Sequence, residues 1–149
     1  MLLWRISNYA TLDGRGGLLA SARWHTQGQP IVYLAETPAG ALVEILVHLE
    51  LDTAALPKTY KLLKAEAPDG LPWRTVSQAE LLANWILDLN ATRTVGDEWL
   101  ASRTTSLLRV PSTLLPETYN LLLNPVHPDA SRVRVLWHRE YPWDPRLLK

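Results

Sequence analysis

The stretch IVYLAETPAGALVEILVHLE, residues 31–50, decides the fold class, because its hydrophobic period changes partway along. Ile31 to Ala35 are mostly β-branched, aromatic or aliphatic, the composition of a short strand packed on a pleated surface. Thr37-Pro38 then supplies an N-cap ahead of a proline whose missing N–H loses nothing in a first helical turn. From there Leu42, Ile45, Leu46 and Leu49 recur at spacings of three and four, which lines them along one stripe of a helix. The spacing predicts a strand at 31–35 and a helix from Pro38 to about residue 50.

Working outward, LLWRIS at 2–7 reads as a strand broken by one arginine, and Asp13, Gly14, Gly16 and Gly17 mark a loop over 8–17. Lys58 to Ala67 lies between Pro57 and the turn signal Pro68-Asp69-Gly70, and reads as another strand. Ser77 and Glu80 form a capping-box pattern ahead of Leu82, Trp85, Ile86 and Leu89, so a helix is expected over 78–89. A weaker period through Val95, Trp99 and Leu100 gives a helix over 94–103, followed by a strand at 106–110 before Pro111. The remainder reads as a strand near 119–123, a turn at Asn124-Pro125-Val126-His127-Pro128 and an alternating strand at 132–138. Strands and helices do not alternate regularly and eleven prolines oppose a helical bundle, so the expected class is α+β in a single compact domain, residues 1–149.

At 149 residues and 47% hydrophobic content the chain is long enough for one core and cramped for two. Fifteen Lys plus Arg balance fifteen Asp plus Glu, which removes the electrostatic footprint of a protein that grips nucleic acid directly. Without cysteine there is no disulfide, thiolate metal site or cysteine nucleophile. MLLWRIS meets an arginine after too few apolar residues for a secretion signal, and no run approaches a membrane span, so a cytoplasmic protein without membrane association is expected. The four histidines lack metal-ligand spacing, and neither a phosphate-binding glycine loop nor a G-x-S-x-G elbow is present.

Several polar residues sit inside or beside apolar elements, where an unpaired charge is costly. Arg5 interrupts a strand, which an edge-strand arginine reaching to water also explains. Glu44 lies within the apolar helix and four residues before His48, a spacing that suits simple surface pairing. Tyr33 alternates with Val32 and Leu34 as a half-buried aromatic would, Arg23-Trp24 suits a cation–π pair, and Ser112 suits the start of a turn. These patterns name no reaction by themselves.

The pieces WRIS at 4–7, LDGRGGLLASARWHTQG at 12–28, VYLAETPAGALVEILVH at 32–48, VPSTLLPETYNLLLNPVHPD at 110–129 and YPWDPRLL at 141–148, taken in order, cover nearly the whole chain. In that order they resemble the RES domain family, the toxin halves of bacterial RES–Xre toxin–antitoxin pairs. The resemblance implies a fold related to the ADP-ribosyltransferases and cleavage of the nicotinamide–ribose bond of NAD. The acceptor would be water, phosphate or a host protein. A non-catalytic interaction module is the alternative from a different class. Residue by residue, Arg5, Arg23, Tyr33 and Ser112 match NAD-binding positions, while Glu44, Arg23 and Ser112 match catalytic ones, with no metal and no cofactor beyond NAD as substrate. The implied partner is an Xre-type helix-turn-helix antitoxin, and a homodimer within the complex is compatible with it. Two departures from the family pattern fall beside Arg23: Ser21-Ala22 replaces two glycines and His25 replaces asparagine. No role for His25 follows from the resemblance.

Overall fold

The computed structural model describes residues 1–48 and 56–148. Seven strands, β1 Leu2–Ile6, β2 Val32–Ala35, β3 Thr59–Glu66, β4 Trp73–Thr75, β5 Leu107–Pro111, β6 Tyr119–Leu123 and β7 Arg134–Pro142, form one sheet. Its order is β4-β5-β6-β2-β1-β3-β7. All ladders are antiparallel except β4 on β5, so the sheet is mixed and the class is α+β. Among the described residues three α-helices accompany it: α1 Gly16–Leu19, α2 Pro38–His48 and α3 Leu89–Ser102. No described helix is long and apolar enough to cross a membrane.

Alternation along the strands builds two clusters. Val32, Leu34, Leu107, Leu121 and Leu123 join Leu3, Ala65 and Val133 in an aliphatic cluster on one face. The intervening residues Leu108, Val110 and Leu122 face Trp24, Trp85, Trp99 and Leu100 on the other. The β1–β3–β7 end is tied differently. Lys64 lies over the rings of both Trp4 and Trp137, at 5.4 and 5.8 Å, and Arg139 lies 4.2 Å above Trp137, a cross-strand row of cations and aromatics.

α2 begins where Thr37-Pro38 predicts, with the Thr37 hydroxyl accepting from Gly40 N. Leu49, expected at the end of its stripe, lies outside the described residues. The helix expected over 78–89 is not formed. Its capping box exists, with Ser77 N donating to Glu80 Oε2 at 2.6 Å, but it closes only a 3₁₀ turn at Gln78–Glu80. Trp85 then turns inward against Trp24 while Leu82 and Leu87 stay exposed, so the apolar spacing mimics a helix face without a surface to bury it. Asp88 caps α3 through Ala91 N, which starts that helix at Leu89, ahead of the expected Thr94. β4 was not anticipated, being three exposed residues without alternation. The last strand runs to Pro142, beyond the expected 138. The loop at 8–17 ends in α1, and Gly14 adopts φ +74° where a Cβ would strike the Ile31 backbone.

Candidate functional site

β1 and β2 pair through a single residue couple, Trp4 with Ala35, whereas each neighbour of the two continues its ladder for four or more couples. Continuing the antiparallel register would set Arg5 opposite Leu34 and Ile6 opposite Tyr33. Those four residues instead line a cavity of about 550 Å³, a size suited to a small-molecule ligand. The site therefore opens where the sheet parts. Arg5 is not on an edge strand as its snorkelling explanation required, because β1 lies between β2 and β3.

Arg23 reaches the cavity from a tight turn. Ala22 N donates to His25 O at 3.1 Å, leaving Arg23 and Trp24 at the tip. The two side chains diverge rather than stacking: Trp24 is buried beside Trp85, while Arg23 Nη1 donates to Ile86 O at 2.9 Å. One face of α3 grips this turn. Thr92 Oγ1 donates to Arg23 O, Arg93 Nε donates to Ala22 O, and Asp97 accepts from Thr26 N and Oγ1, all at 2.7–2.9 Å. Gly96 lets the helix approach the Trp24 carbonyl, which any Cβ there would overlap. Burial and the neighbouring Arg93 lower the pKa of Arg23, and Glu44 opposes them.

Glu44 lines the same cavity from α2. It does not pair with His48 among the described residues. Its Oε1 accepts from Ser112 Oγ at 2.6 Å and from Asn120 Nδ2 at 2.9 Å, so β6 and the residue that follows β5 fix a carboxylate carried by a helix. Ser112, 4% exposed, lies behind Glu44 and outside the cavity lining. Its hydroxyl also accepts from Leu114 N, which orients its own donor toward the glutamate. Asn120 was missed by sequence reasoning. The signal was one amide side chain in the otherwise apolar YNLLL strand, where a half-buried polar group calls for a partner.

Arg5 has no ion pair among the described residues. Its Nη1 is buried and without a hydrogen-bond partner among the described residues, and burial lowers its pKa against a weaker opposing pull from Asp13. A buried guanidinium edge without an acceptor suits an anionic ligand. Tyr33 forms another wall, and its hydroxyl meets Trp24 N at 3.2 Å and His25 Nδ1 at 2.8 Å. Burial pushes the phenol well above its ordinary value of 10. The structure thus brings Arg5, Arg23, Tyr33 and Glu44 around one cavity with Ser112 supporting it, a set able to hold a diester or diphosphate and to stabilise positive charge.

A family model described as the RES domain matches residues 2–144. "Toxin Res" of Pseudomonas putida is 48% identical over 138 residues, covering 91% of this chain and 92% of that protein. The "Prs ADP-ribosylating toxin" of a Sphingobium species is 33% identical over 156 residues, with coverage of 98% and 96%. Among solved structures, the M. tuberculosis MbcT–MbcA toxin–antitoxin complex contains a chain of like fold, with TM-score 0.72 and 18% identity over 99% of this chain and 86% of that one.

Proposed function

Because the chain belongs to the RES domain family, we propose that it is the toxin of a toxin–antitoxin pair and that it cleaves the nicotinamide–ribose bond of NAD. The observation that carries this reading is that one cavity is lined both by a braced carboxylate, Glu44, and by Arg5, a largely buried arginine whose Nη1 has no acceptor among the described residues. The names of the relatives support the toxin part of it.

In this reading Arg5 and Arg23 take the diphosphate oxygens, a task for which planar guanidinium donors suit better than ammonium groups. Tyr33 presents its ring to the nicotinamide and ribose and keeps water from the departing side. The C–N bond to the ribose breaks, its electron pair leaves with nicotinamide, and the sugar carbon gains oxocarbenium character. Glu44 stabilises that charge as it appears and accepts the proton of an attacking water. Ser112 and Asn120 occupy Oε1, which aims the carboxylate. With water the products are nicotinamide, ADP-ribose and a proton; with phosphate they are nicotinamide and ADP-ribose 1″-phosphate.

Transfer to a protein is the second reading, favoured by the Sphingobium relative's name. Incubating the purified chain with NAD, with and without phosphate and cell extract, and measuring ADP-ribose, ADP-ribose 1″-phosphate and labelled protein separates the acceptors. Unchanged NAD in all three conditions sinks both readings.

The antitoxin we infer carries an Xre-type helix-turn-helix, since a chain of zero net charge lacks the means to hold DNA alone. It covers the cavity, whose rim offers the exposed apolar side chains Val47, Leu114 and, beside Arg23, Ile86. Arg23→Ala is expected to weaken antitoxin capture in pull-downs; equal capture by both chains would remove Arg23 from that interface.

A further inference from the structure

His25 is 2% exposed, yet both ring nitrogens are engaged. Nε2 lies 2.9 Å from the Ala20 carbonyl, which only accepts, so Nε2 carries the hydrogen. Nδ1 of the neutral ring is then an acceptor, and the Tyr33 hydroxyl donates to it at 2.8 Å. Trp24 N donates to the same hydroxyl oxygen. In this arrangement the Ala20 carbonyl, both imidazole nitrogens, the Tyr33 hydroxyl and the Trp24 N–H are all hydrogen-bonded.

We propose that His25 is the positioning residue of the cavity's tyrosine: as a neutral imidazole it fixes the Tyr33 hydroxyl, and protonation of Nδ1 in acid releases it. An Nδ1–H would point at the phenol oxygen, already the acceptor for Trp24 N, and the hydroxyl hydrogen would be left buried without a partner. The Tyr33 ring is wall to the cavity, so loosening its hydroxyl loosens the wall.

The charged and polar groups around the imidazole pull in both directions. Burial opposes protonation most strongly, and Arg93 on α3 adds to it. The carbonyls of Ala20 and Gly17 and the Asp97 carboxylate on α3 favour it, but Asp97 is engaged by Thr26. The outcome is a titration below the ordinary 6.5. Between the lowered folded value and 6.5 the unfolded chain binds more protons, so this contribution to stability is present above 6.5 and lost as pH falls through that window.

The proposal deepens the NAD reading by giving the same site a pH control, and it rests on that reading only for the turnover arm of its test. Nitrogen-15 imidazole spectra of the full chain identify the tautomer, and a pH titration follows His25 and the Tyr33 ring together. Expected are the Nε2–H tautomer at pH 7.5, a His25 midpoint below 6.5 and Tyr33 resonances moving with that midpoint. The rate of NAD consumption should fall about tenfold per pH unit below it. Tyr33→Phe keeps the ring and removes the hydroxyl, so the His25 midpoint should rise toward 6.5. His25→Asn should lose the acid limb. An Nδ1–H tautomer, or Tyr33 signals indifferent to His25, overturns the proposal even if NAD is consumed. Coupled titration with no NAD consumption at any pH leaves the proposal standing and removes the NAD reading. Should His25→Asn fail to fold, the Tyr33→Phe titration decides alone.

Discussion

The two faces of the sheet are filled with different side chains. One face packs leucine, valine and alanine from β1, β2, β3, β5 and β6, together with Ala67, Leu71, Ala130 and Val133. The other packs three tryptophans against β5 and β6, and two of them, Trp24 and Trp85, belong to the segments that carry and contact Arg23. Aliphatic packing sets the stability of the scaffold, whereas the contact between Trp24 and Trp85 also sets the position of a cavity residue, Arg23. The difference teaches that stability and function separate by face: damage on the first should lower folding alone, and damage on the second should disturb both.

Leu121→Ala tests the aliphatic face most severely. It should lower unfolding free energy by about 2–5 kcal/mol while NAD consumption per folded molecule stays unchanged, as read by denaturant titration alongside turnover. A loss of turnover at full folding would erase the separation. Glu44→Gln tests the reverse. Turnover should fall about 100- to 1,000-fold with NAD affinity retained and unfolding moved by less than about 1 kcal/mol, since the amide keeps the Oε1 acceptor. Calorimetry showing affinity lost with turnover per bound complex intact would make Glu44 a ground-state contact.

Gly96→Ala probes the mixed case. Helix propensity alone favours alanine by up to about 1 kcal/mol, but the new methyl overlaps the Trp24 carbonyl. The expected net is a loss of about 1–3 kcal/mol with a raised KM for NAD as the Arg23 turn shifts. A stabilised variant would show that the turn yields freely. The smallest effect belongs to Glu36→Gln. Glu36 accepts from Arg109 Nε at 2.9 Å, the pair is partly exposed, and Arg109 also stacks on Tyr119 at 3.6 Å. A change of no more than about 1 kcal/mol in unfolding and none in turnover is expected.

Legibility in the sequence followed the range of the interactions. α2, β1, β2, β3, β5 and β6 are legible because their periods and caps are local. The false helix at 78–89 carried a true capping box, and what overrode it was distant: Trp85 drawn to Trp24, and the Ile86 carbonyl taken by Arg23. β4 is legible only through its parallel partner β5, far along the chain. In the site, Arg5, Arg23, Tyr33 and Glu44 entered through family resemblance, and spacing alone offered surface pairing for Glu44. Asn120 and His25 become visible only once β6 meets α2 and the 22–25 turn closes on Tyr33, contacts no local pattern encodes.

The parted strands also decide what heredity is able to remove. Leu34 lines the cavity while it also belongs to the aliphatic cluster, so a substitution there acts first on the packing of the fold. At that one position a cell escaping such a toxin by mutation finds few changes that spare the fold. Selection for survivors should instead gather changes at Arg5, Arg23, Glu44 and the residues that brace them, leaving the opening in the sheet as a vacant but durable shape on which activity can be restored by reversion.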